Sequence, residues 1–532
     1  MMDDQLNKYS IDTTDYQVGQ DNVQKWGFDV HNPVFGISAF LVILFVALTL
    51  LLDPEVVREA LTSTKDAIIN KFDSYFMLIA NGFVLFCFAL ALSPLGKIRL
   101  GGVDAKPEHG YLSWLAMLFA AGMGIGLLFW GVAEPAAYYT DWYLMPMNAE
   151  PNTPEAHSLA MGATMYHWGL HGWAIYGIVA LSLAFFAYNK GLPLSIRSVF
   201  YPLFGDRAWG WLGHVIDILA VLSTLFGLAT SLGLGAQQAT SGINYLMGTD
   251  YGTAFQITVI ALVTCIAIVS VIKGIEGGVK VLSNINLICA FILLVAIISL
   301  TFSDSITAIW FTFGAYVEHM VPLSNPFGRE DEDWMHAWTV FYWAWWISWS
   351  PFVGMFIARV SRGRTVREFL LVVIGLPTLL SLVWMGVFGN LAISQIIDKV
   401  GPLGQNGLTD ISVTLFQVYE QLPLSGLISV ISIVLVLVFF ITSSDSGSLV
   451  IDGITAGGKI DAPVPQRIFW ASIEGAIAAV LLWVGGSQAL QALQSGVVTT
   501  ALPFSIVLIL MCVALIQGLM SEYPIYKAQT KL

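Results

Sequence analysis

Residues 120–135 read AAGMGIGLLFWGVAEP, and Gly122, Met123, Gly124, Ile125 and Gly126 put three glycines within five positions of one apolar run. A continuous helix gains nothing from such a cluster, since each glycine costs about 1 kcal/mol relative to alanine. Glycine here either lets a neighbouring helix approach closely or lets the backbone unwind and offer N–H and C=O groups to a ligand. Recurrence of the break favours the second reading. Later runs carry Ser350-Pro351 followed by Gly354, Gly227, Gly233 and Gly235 around Ser231, and Thr442-Ser443-Ser444-Asp445-Ser446 at a run's end. If the third to seventh runs form one unit and the eighth to twelfth another, each has an odd number of helices and the second inserts upside down. The broken helix is then first in both units, an arrangement that points to a substrate site at the bilayer midplane.

The rest of the chain is built for lipid. Charged residues make up 11% (23 Lys and Arg, 36 Asp and Glu) against roughly 25% in soluble domains, and 56% of residues are hydrophobic, with a mean hydropathy of +0.74. A water-facing surface cannot be made from so few polar residues. Runs of the roughly 20 residues needed to cross a bilayer begin near residues 33, 74, 112, 160, 210, 252, 283, 336, 367, 425, 468 and 499. The predicted fold is an all-α polytopic membrane protein of twelve transmembrane helices, with an inverted five-helix repeat and two extra N-terminal helices. Its segments are a tail over 1–32, leading helices over 33–111, a first repeat over 112–302, an outside connection over 303–335, a second repeat over 336–520 and a short tail over 521–532. In the connection, Ile306, Ile309 or Trp310, Phe313 and Val317 give an amphipathic helix lying at the interface. The first tail lacks the basic, apolar and small-residue order of a cleavable signal.

With the N-terminus inside, 18 of the 23 Lys and Arg fall on inside segments, so both termini are expected in the cytoplasm. The cluster from Arg359 to Arg367 reads as an inside anchor, with a cytoplasmic gate or lipid contact as the sharper reading. A net charge of −13 without a large basic cluster argues against nucleic acid as a partner. Cys87, Cys265, Cys289 and Cys512 lie apart, with no metal spacing, and read as small buried residues.

Eighteen tryptophans exceed what interfacial anchoring needs. Trp168, Trp173 and Tyr176 fall within about 140° of one helical face, and Trp338, Phe341, Trp345 and Trp349 within about 80° of another, with Trp346 at its edge. Helix packing is the plain explanation. The sharper one is a cage for a quaternary ammonium, which has no N–H to donate and is attracted by ring faces by about 2 kcal/mol or more when desolvated. Acids within the runs are few (Asp217, Glu134, Glu474, Asp445), and none lies in the glycine stretch. A zwitterion brings its own carboxylate and can use the N–H groups of an unwound segment, so the absence favours a zwitterion over a bare cation. On that argument, Asp in place of Gly126 is expected to favour a bare quaternary ammonium cation relative to a zwitterion.

The strings AAGMGIGLLFWGVAEP (120–135), HWGLHGWAIY (167–176) and FYWAWWISWSPFVGMFIARVSRGRTVREF (341–369) closely resemble signature segments of the betaine/choline/carnitine transporter family. The resemblance runs across all twelve runs. It implies a leucine-transporter-type fold, usually a homotrimer, in the bacterial cytoplasmic (inner) membrane, importing glycine betaine or a related onium compatible solute by sodium symport without any cofactor. Carried over position by position, the substrate box matches Trp168, Trp173, Tyr176 and Trp346, with Trp345, Trp349 and Phe341 lining the path, the glycine stretch (Gly122, Met123, Gly124, Gly126) beside it, and Ser231 as the substrate-proximal serine. One sodium site matches Ala120, Met123, Phe439, Thr442 and Ser443. A second pairs two threonines with a phenylalanine: Thr224 and Phe352 match, but the partner threonine is Leu228, which cannot coordinate sodium. That leaves one sodium, or compensation by Thr230 or Ser223. No Arg or Lys stands at the ion positions, unlike sodium-independent members. The C-terminal tail is short, so tail-based osmosensing is not expected.

Other readings remain open at this stage. A proton-coupled or exchange transporter of choline, carnitine or dimethylsulfoniopropionate fits the same residues. His167 and His171, spaced i, i+4, could bind the metal of a membrane enzyme, although no third ligand or general base is evident. A channel would need a continuous polar pore lining, and a non-transporting sensor would bind without flux.

Overall fold

The computed structural model describes residues 14–122, 124–273, 279–459 and 461–530, leaving out the side chains of 119–122, 125 and 279–282. These residues are almost entirely helical. A hairpin of β1 (Asn22–Lys25) and β2 (Phe28–His31) leads into α1 (Asn32–Leu51) and α2 (Pro54–Leu92). Then come α3 (Tyr111–Gly122), α4 (Ile125–Thr140), α5 (Pro154–Trp168), α6 (Leu170–Lys190), α7 (Trp211–Met247), α8 (Thr253–Lys273), α9 (Val279–Leu300) and α10 (Phe302–Ser324). The chain ends with α11 (Phe341–Val360), α12 (Val366–Asp398), α13 (Ser425–Thr455), α14 (Val464–Gly485) and α15 (Ala489–Gln529). Starts follow local chemistry. Asp53, Thr153 and Thr365 each cap a helix, accepting from the N–H of Glu55, Ala156 and Glu368.

Among the described residues, nine helical stretches are long and apolar enough to cross a membrane. The shortfall from twelve has a physical cause. The third run is split into pieces of 12 and 16 residues, each shorter than a bilayer needs, the eighth run, α11, is rich in Trp and Ser and is not among the nine, and the last two runs form one stretch from Val464 to Gln529. Large apolar side chains such as Leu85 on α2, Leu262 on α8 and Phe291 on α9 stand exposed on the outside, as a lipid-facing surface requires. On α10 the exposed residues include Ile306, Trp310, Phe313 and Val317, while Thr312 and Tyr316 turn inward. At the centre, α6 is buried from His171 to Phe186 and packs on α11.

The breaks differ from the sequence reading. The chain leaves helical geometry at Gly124 (φ −132°, ψ −169°), but α11 runs unbroken through Ser350, Pro351 and Gly354, α7 through its glycines, and α13 through Thr442 to Ser446. The glycines of α7 and α11 are contact points instead. A Cβ on Gly227 would meet Trp349 at 2.9 Å, one on Gly233 would meet Leu493 at 2.7 Å, and one on Gly354 would meet Val179 at 2.5 Å. The second interruption falls unexpectedly at Gly169 (φ −100°, ψ −137°), between α5 and α6. There the Tyr316 hydroxyl of α10 accepts the freed N–H of Leu170 (3.1 Å). The argument from matched breaks in two halves therefore does not hold in this structure.

The hairpin ties two distant parts of the chain together. Arg197, fully buried between α6 and α7, pairs with Asp217 (3.3 Å), donates to Tyr16 Oη (2.7 Å) and reaches His31 Nε2 (3.1 Å). On the other side Asn22 donates to the carbonyl of Ala456 (2.9 Å), the Asp29 N–H donates to Gln466 (3.2 Å), and Lys459 pairs with the Asp29 carboxylate. The Arg cluster is likewise held by protein groups: Arg362 pairs with Glu108 (2.9 Å), and Arg367 donates to the carbonyl of Ala91 (2.7 Å).

Burial, then Arg197 and His214, push His31 down to about 3, so its ring is a neutral acceptor. Burial alone would raise Asp29, but hydrogen bonds from Lys459, Asn22 and Gln24 outweigh it and hold the carboxyl below the usual aspartate value. Both groups bind protons more weakly folded than unfolded, so hairpin docking is complete above the ordinary histidine value of about 6.5 and weakens as pH falls towards the folded values. Limited proteolysis should therefore find residues 14–31 protected at neutral pH and cleavable in acid, and cleavable at neutral pH in Asp29→Asn. Equal protection of that variant would refute the tie.

Candidate functional site

Trp346 of α11 organises the predicted aromatic box. Its ring centroid lies 5.7 Å from Trp168, 5.6 Å from Trp173 and 4.7 Å from Tyr176, and Trp173 meets Tyr176 edge-on at 5.5 Å. Such separations suit edge-to-face packing. Trp168 ends α5 and Trp173 opens α6, so the break at Gly169, rather than one continuous helical face, sets their relation. Two glycines make room. A Cβ on Gly172 would lie 2.4 Å from the Trp346 ring, and one on Gly126 would lie 2.3 Å from that of Trp168. Position 126 thus has no space for an added counter-charge unless Trp168 moves, which corrects the expectation for Asp there.

The other predicted residues spread outward. Trp345 meets Trp168 edge-on at 6.1 Å and stacks on Phe341 at 5.7 Å, one layer from the box. Trp349 lies farther along α11 against Gly227, with Phe352 as its ring partner at 5.5 Å. Ser231 is buried on α7, its hydroxyl donating to the carbonyl of Gly227 (3.3 Å). Gly124 forms the break itself. Met123 lies outside the described residues, as do the side chains of Ala120 and Gly122. Of the expected ion residues, Phe439, Thr442 and Ser443 sit on one stretch of α13, with the Thr442 hydroxyl bonded to the carbonyls of Val438 (3.0 Å) and Phe439 (3.2 Å). Leu228, fully buried, packs on Gly447 of α13, where a Cβ would meet it at 2.2 Å, and Thr224 donates to its own helix at Ala220 (2.7 Å). At this second position an aliphatic contact stands where a hydroxyl was expected.

A residue the sequence reading did not connect to the box is Glu134. Fully buried on α4, its carboxylate accepts from Trp168 Nε1 (2.8 Å), Tyr342 Oη (2.6 Å), Tyr138 Oη (3.0 Å) and His167 Nδ1 (2.7 Å). A carboxylate only accepts, so Nδ1 of His167 carries the proton, and Nε2 meets the Thr339 hydroxyl (2.9 Å). The indole N–H of Trp346 in turn donates to the His167 carbonyl (3.0 Å). Glu134 thereby fixes Trp168 directly and Trp346 through His167, and it places a negative charge behind the rings. The signal in the sequence was a Glu inside an apolar run, where an acid needs a partner.

The same contacts remove the metal reading of the histidines. Both ring nitrogens of His167 are engaged, His171 Nε2 meets Asn81 (3.1 Å), and among the described residues no group of three candidate ligands assembles. Glu134→Gln keeps the shape but removes the charge. Affinity for a methylated quaternary ammonium probe, read by tryptophan fluorescence, should fall about tenfold, or ~1.4 kcal/mol, and an unchanged affinity would reduce Glu134 to a fold-holding role.

Comparison with known proteins gives the family. The model of the BCCT (betaine/carnitine/choline) family transporter matches residues 33–524. A glycine betaine/proline/choline/ectoine transporter of Vibrio parahaemolyticus is 69% identical, covering 99% of this chain and 94% of that one. Glycine betaine transporter 1 of the same organism is 65% identical over 97% and 99% of the two chains, and a glycine betaine transporter of Bacillus subtilis is 42% identical over 90% and 93%. The chain belongs to the betaine/carnitine/choline transporter family, a family of multi-pass membrane transporters and not of enzymes.

Proposed function

We propose that this protein is a secondary active symporter that imports a zwitterionic onium compatible solute, glycine betaine foremost, on the sodium gradient. The observation that carries the reading is Trp346 ringed by Trp168, Trp173 and Tyr176. A methylated onium has no hydrogen-bond donor, and aromatic faces in a dry site are what attract it. The buried charge of Glu134 behind Trp168 adds to that attraction.

The zwitterion preference now rests on donors. Among the described residues, the indole N–H groups of Trp173, Trp345 and Trp349 have no acceptor, and a substrate carboxylate can take such groups where a bare cation cannot. The relatives named for betaine, choline, proline and ectoine support a site that accepts several zwitterions and cations.

In this reading the chain has twelve spans, α3–α4 and α5–α6 each forming one interrupted span. Spans three to seven (112–302) and eight to twelve (336–520) are inverted repeats behind two leading helices (33–111), with both termini cytoplasmic, and the protein forms homotrimers in a bacterial inner membrane. One sodium is assigned to the carbonyls of Ala120, Met123 and Phe439 and the hydroxyls of Thr442 and Ser443, oxygen ligands suited to a hard cation. The contact of Leu228 with Gly447 supports a single sodium, with Thr224 and Phe352 left without a second ion. Binding closes the box, and its opening on the other face releases solute and ion together.

Trp346→Ala should weaken glycine betaine binding at least tenfold, about 1.4 kcal/mol, and wild-type affinity in that variant would remove the cage. Thr442→Ala combined with Ser443→Ala should abolish sodium-driven uptake while leaving substrate binding measurable. Retained sodium dependence would place the ion elsewhere.

A further inference from the structure

His167 joins the charge behind the aromatic box to its central ring. It stands in the last turn of α5, two residues before the break at Gly169, where helix carbonyls lose their partners. Its carbonyl takes the indole N–H of Trp346 (3.0 Å), and its Nδ1 donates to Glu134 (2.7 Å). Whatever fixes the imidazole therefore acts on both.

A widened turn holds it. Met335–Val340, directly before α11, is π-helical, and such turns are rare and gather at functional sites. On an α-helix, Trp334 and Thr339, five residues apart, would point about 140° away from each other. With hydrogen bonds that reach five residues along the chain, both come to His167. Trp334 stacks with the imidazole at 5.7 Å, Tyr342 stacks with it at 4.4 Å, and Trp343 meets it edge-on at 5.9 Å. Thr339 adds a polar contact, its hydroxyl lying 2.9 Å from Nε2. All four residues and His167 itself are buried.

Thr339 is the donor in that bond. Buried threonines elsewhere turn their hydroxyls back onto their own helix, as Thr164, Thr224 and Thr455 do. Among the described residues the Thr339 hydroxyl bonds to His167 alone. A proton on Nε2 would leave the hydroxyl hydrogen without an acceptor in a dry site, which costs the desolvation of the donor with nothing in return. Nε2 therefore carries no proton, and the imidazole is the neutral form with its hydrogen on Nδ1. A doubly protonated ring would instead set a positive charge against Glu134 and cancel it.

We propose that Thr339 is a positioning residue of the onium site. By donating to His167 Nε2 from the widened turn, it holds that ring neutral and in one orientation, which keeps the Glu134 charge uncancelled behind Trp168 and the His167 carbonyl aligned on Trp346. The proposal rests on the onium reading of the box, and it goes beyond that reading in naming what sets the charge behind the rings.

The test uses the full-length purified protein, isotope-labelled at its histidine nitrogens for NMR at neutral pH. The His167 signals are identified by their loss in His167→Asn, whose amide keeps a donor near the Nδ1 position. In the wild type Nδ1 should carry the proton and Nε2 should be a hydrogen-bonded acceptor. Thr339→Val should move the Nε2 signal, and Thr339→Ser should leave it in place. Affinity for tetramethylammonium, read by tryptophan fluorescence, should fall about fivefold in Thr339→Val, because binding must then order the loosened rings, and Thr339→Ser should retain it. Added to His167→Asn, Thr339→Val should cost nothing further, as expected of a residue that acts through His167. A proton on Nε2 in the wild type, unmoved nitrogen signals or unchanged affinity in Thr339→Val, or an equal loss in both backgrounds would each overturn the proposal. The wild-type spectrum decides the state of His167 even where Thr339→Val does not fold. Failure of the wild type to bind tetramethylammonium would instead refute the onium reading of the box and leave the nitrogen result standing.

Discussion

A carboxylate sealed inside a membrane bundle must be surrounded by donors, and Glu134 satisfies that demand with groups from three helices. Trp168 from α5, Tyr342 from α11 and Tyr138 from its own α4 converge on it, with His167 as the fourth donor. Charge-assisted hydrogen bonds are each worth about 1.5–3 kcal/mol, and removing one partner leaves a buried charge short of a donor. The first helices of the two proposed repeats are thus bonded to one anion. The rings that form the box are oriented by the same contacts, so the polar network and the apolar cage are a single construction.

Small residues make that construction possible. Gly126 and Gly172 give Trp168 and Trp346 the space that a methyl group would occupy. The interruptions at Gly124 and Gly169 free backbone groups on either side of Trp168, and Tyr316 repairs one of them. Rigidity and openness are therefore distributed unevenly. The walls are fixed by hydrogen bonds, whereas the chain leaves helical geometry at Gly124.

Much of this was legible in the sequence because membrane burial constrains composition so strongly. Hydropathy marks the spans, and tryptophans away from the headgroup levels mark the aromatic box, since neither lipid nor loop requires them there. Trp168, Trp173, Tyr176 and Trp346 could be picked out for that reason. What could not be read was geometry that depends on partners. Glycines in α7 and α11 look like breaks but are contact points for Trp349, Leu493 and Val179, and Pro351 sits inside an unbroken helix. Gly169, one of two glycines in a string rich in aromatic and histidine residues, gives no local sign that Tyr316, more than a hundred residues away, will accept the bond it frees. Glu134 was visible as an acid in an apolar run, but its four donors come from segments that only the fold brings together.

The central claim is that an onium zwitterion held by these rings moves with sodium. Uptake of labelled glycine betaine into proteoliposomes tests it most directly, comparing an inward sodium gradient with potassium plus an imposed proton gradient, and using choline, proline and ectoine as unlabelled competitors. The account predicts accumulation above equilibrium only with the sodium gradient. Accumulation without sodium would contradict it, and would remove the ion site assigned to Thr442 and Ser443.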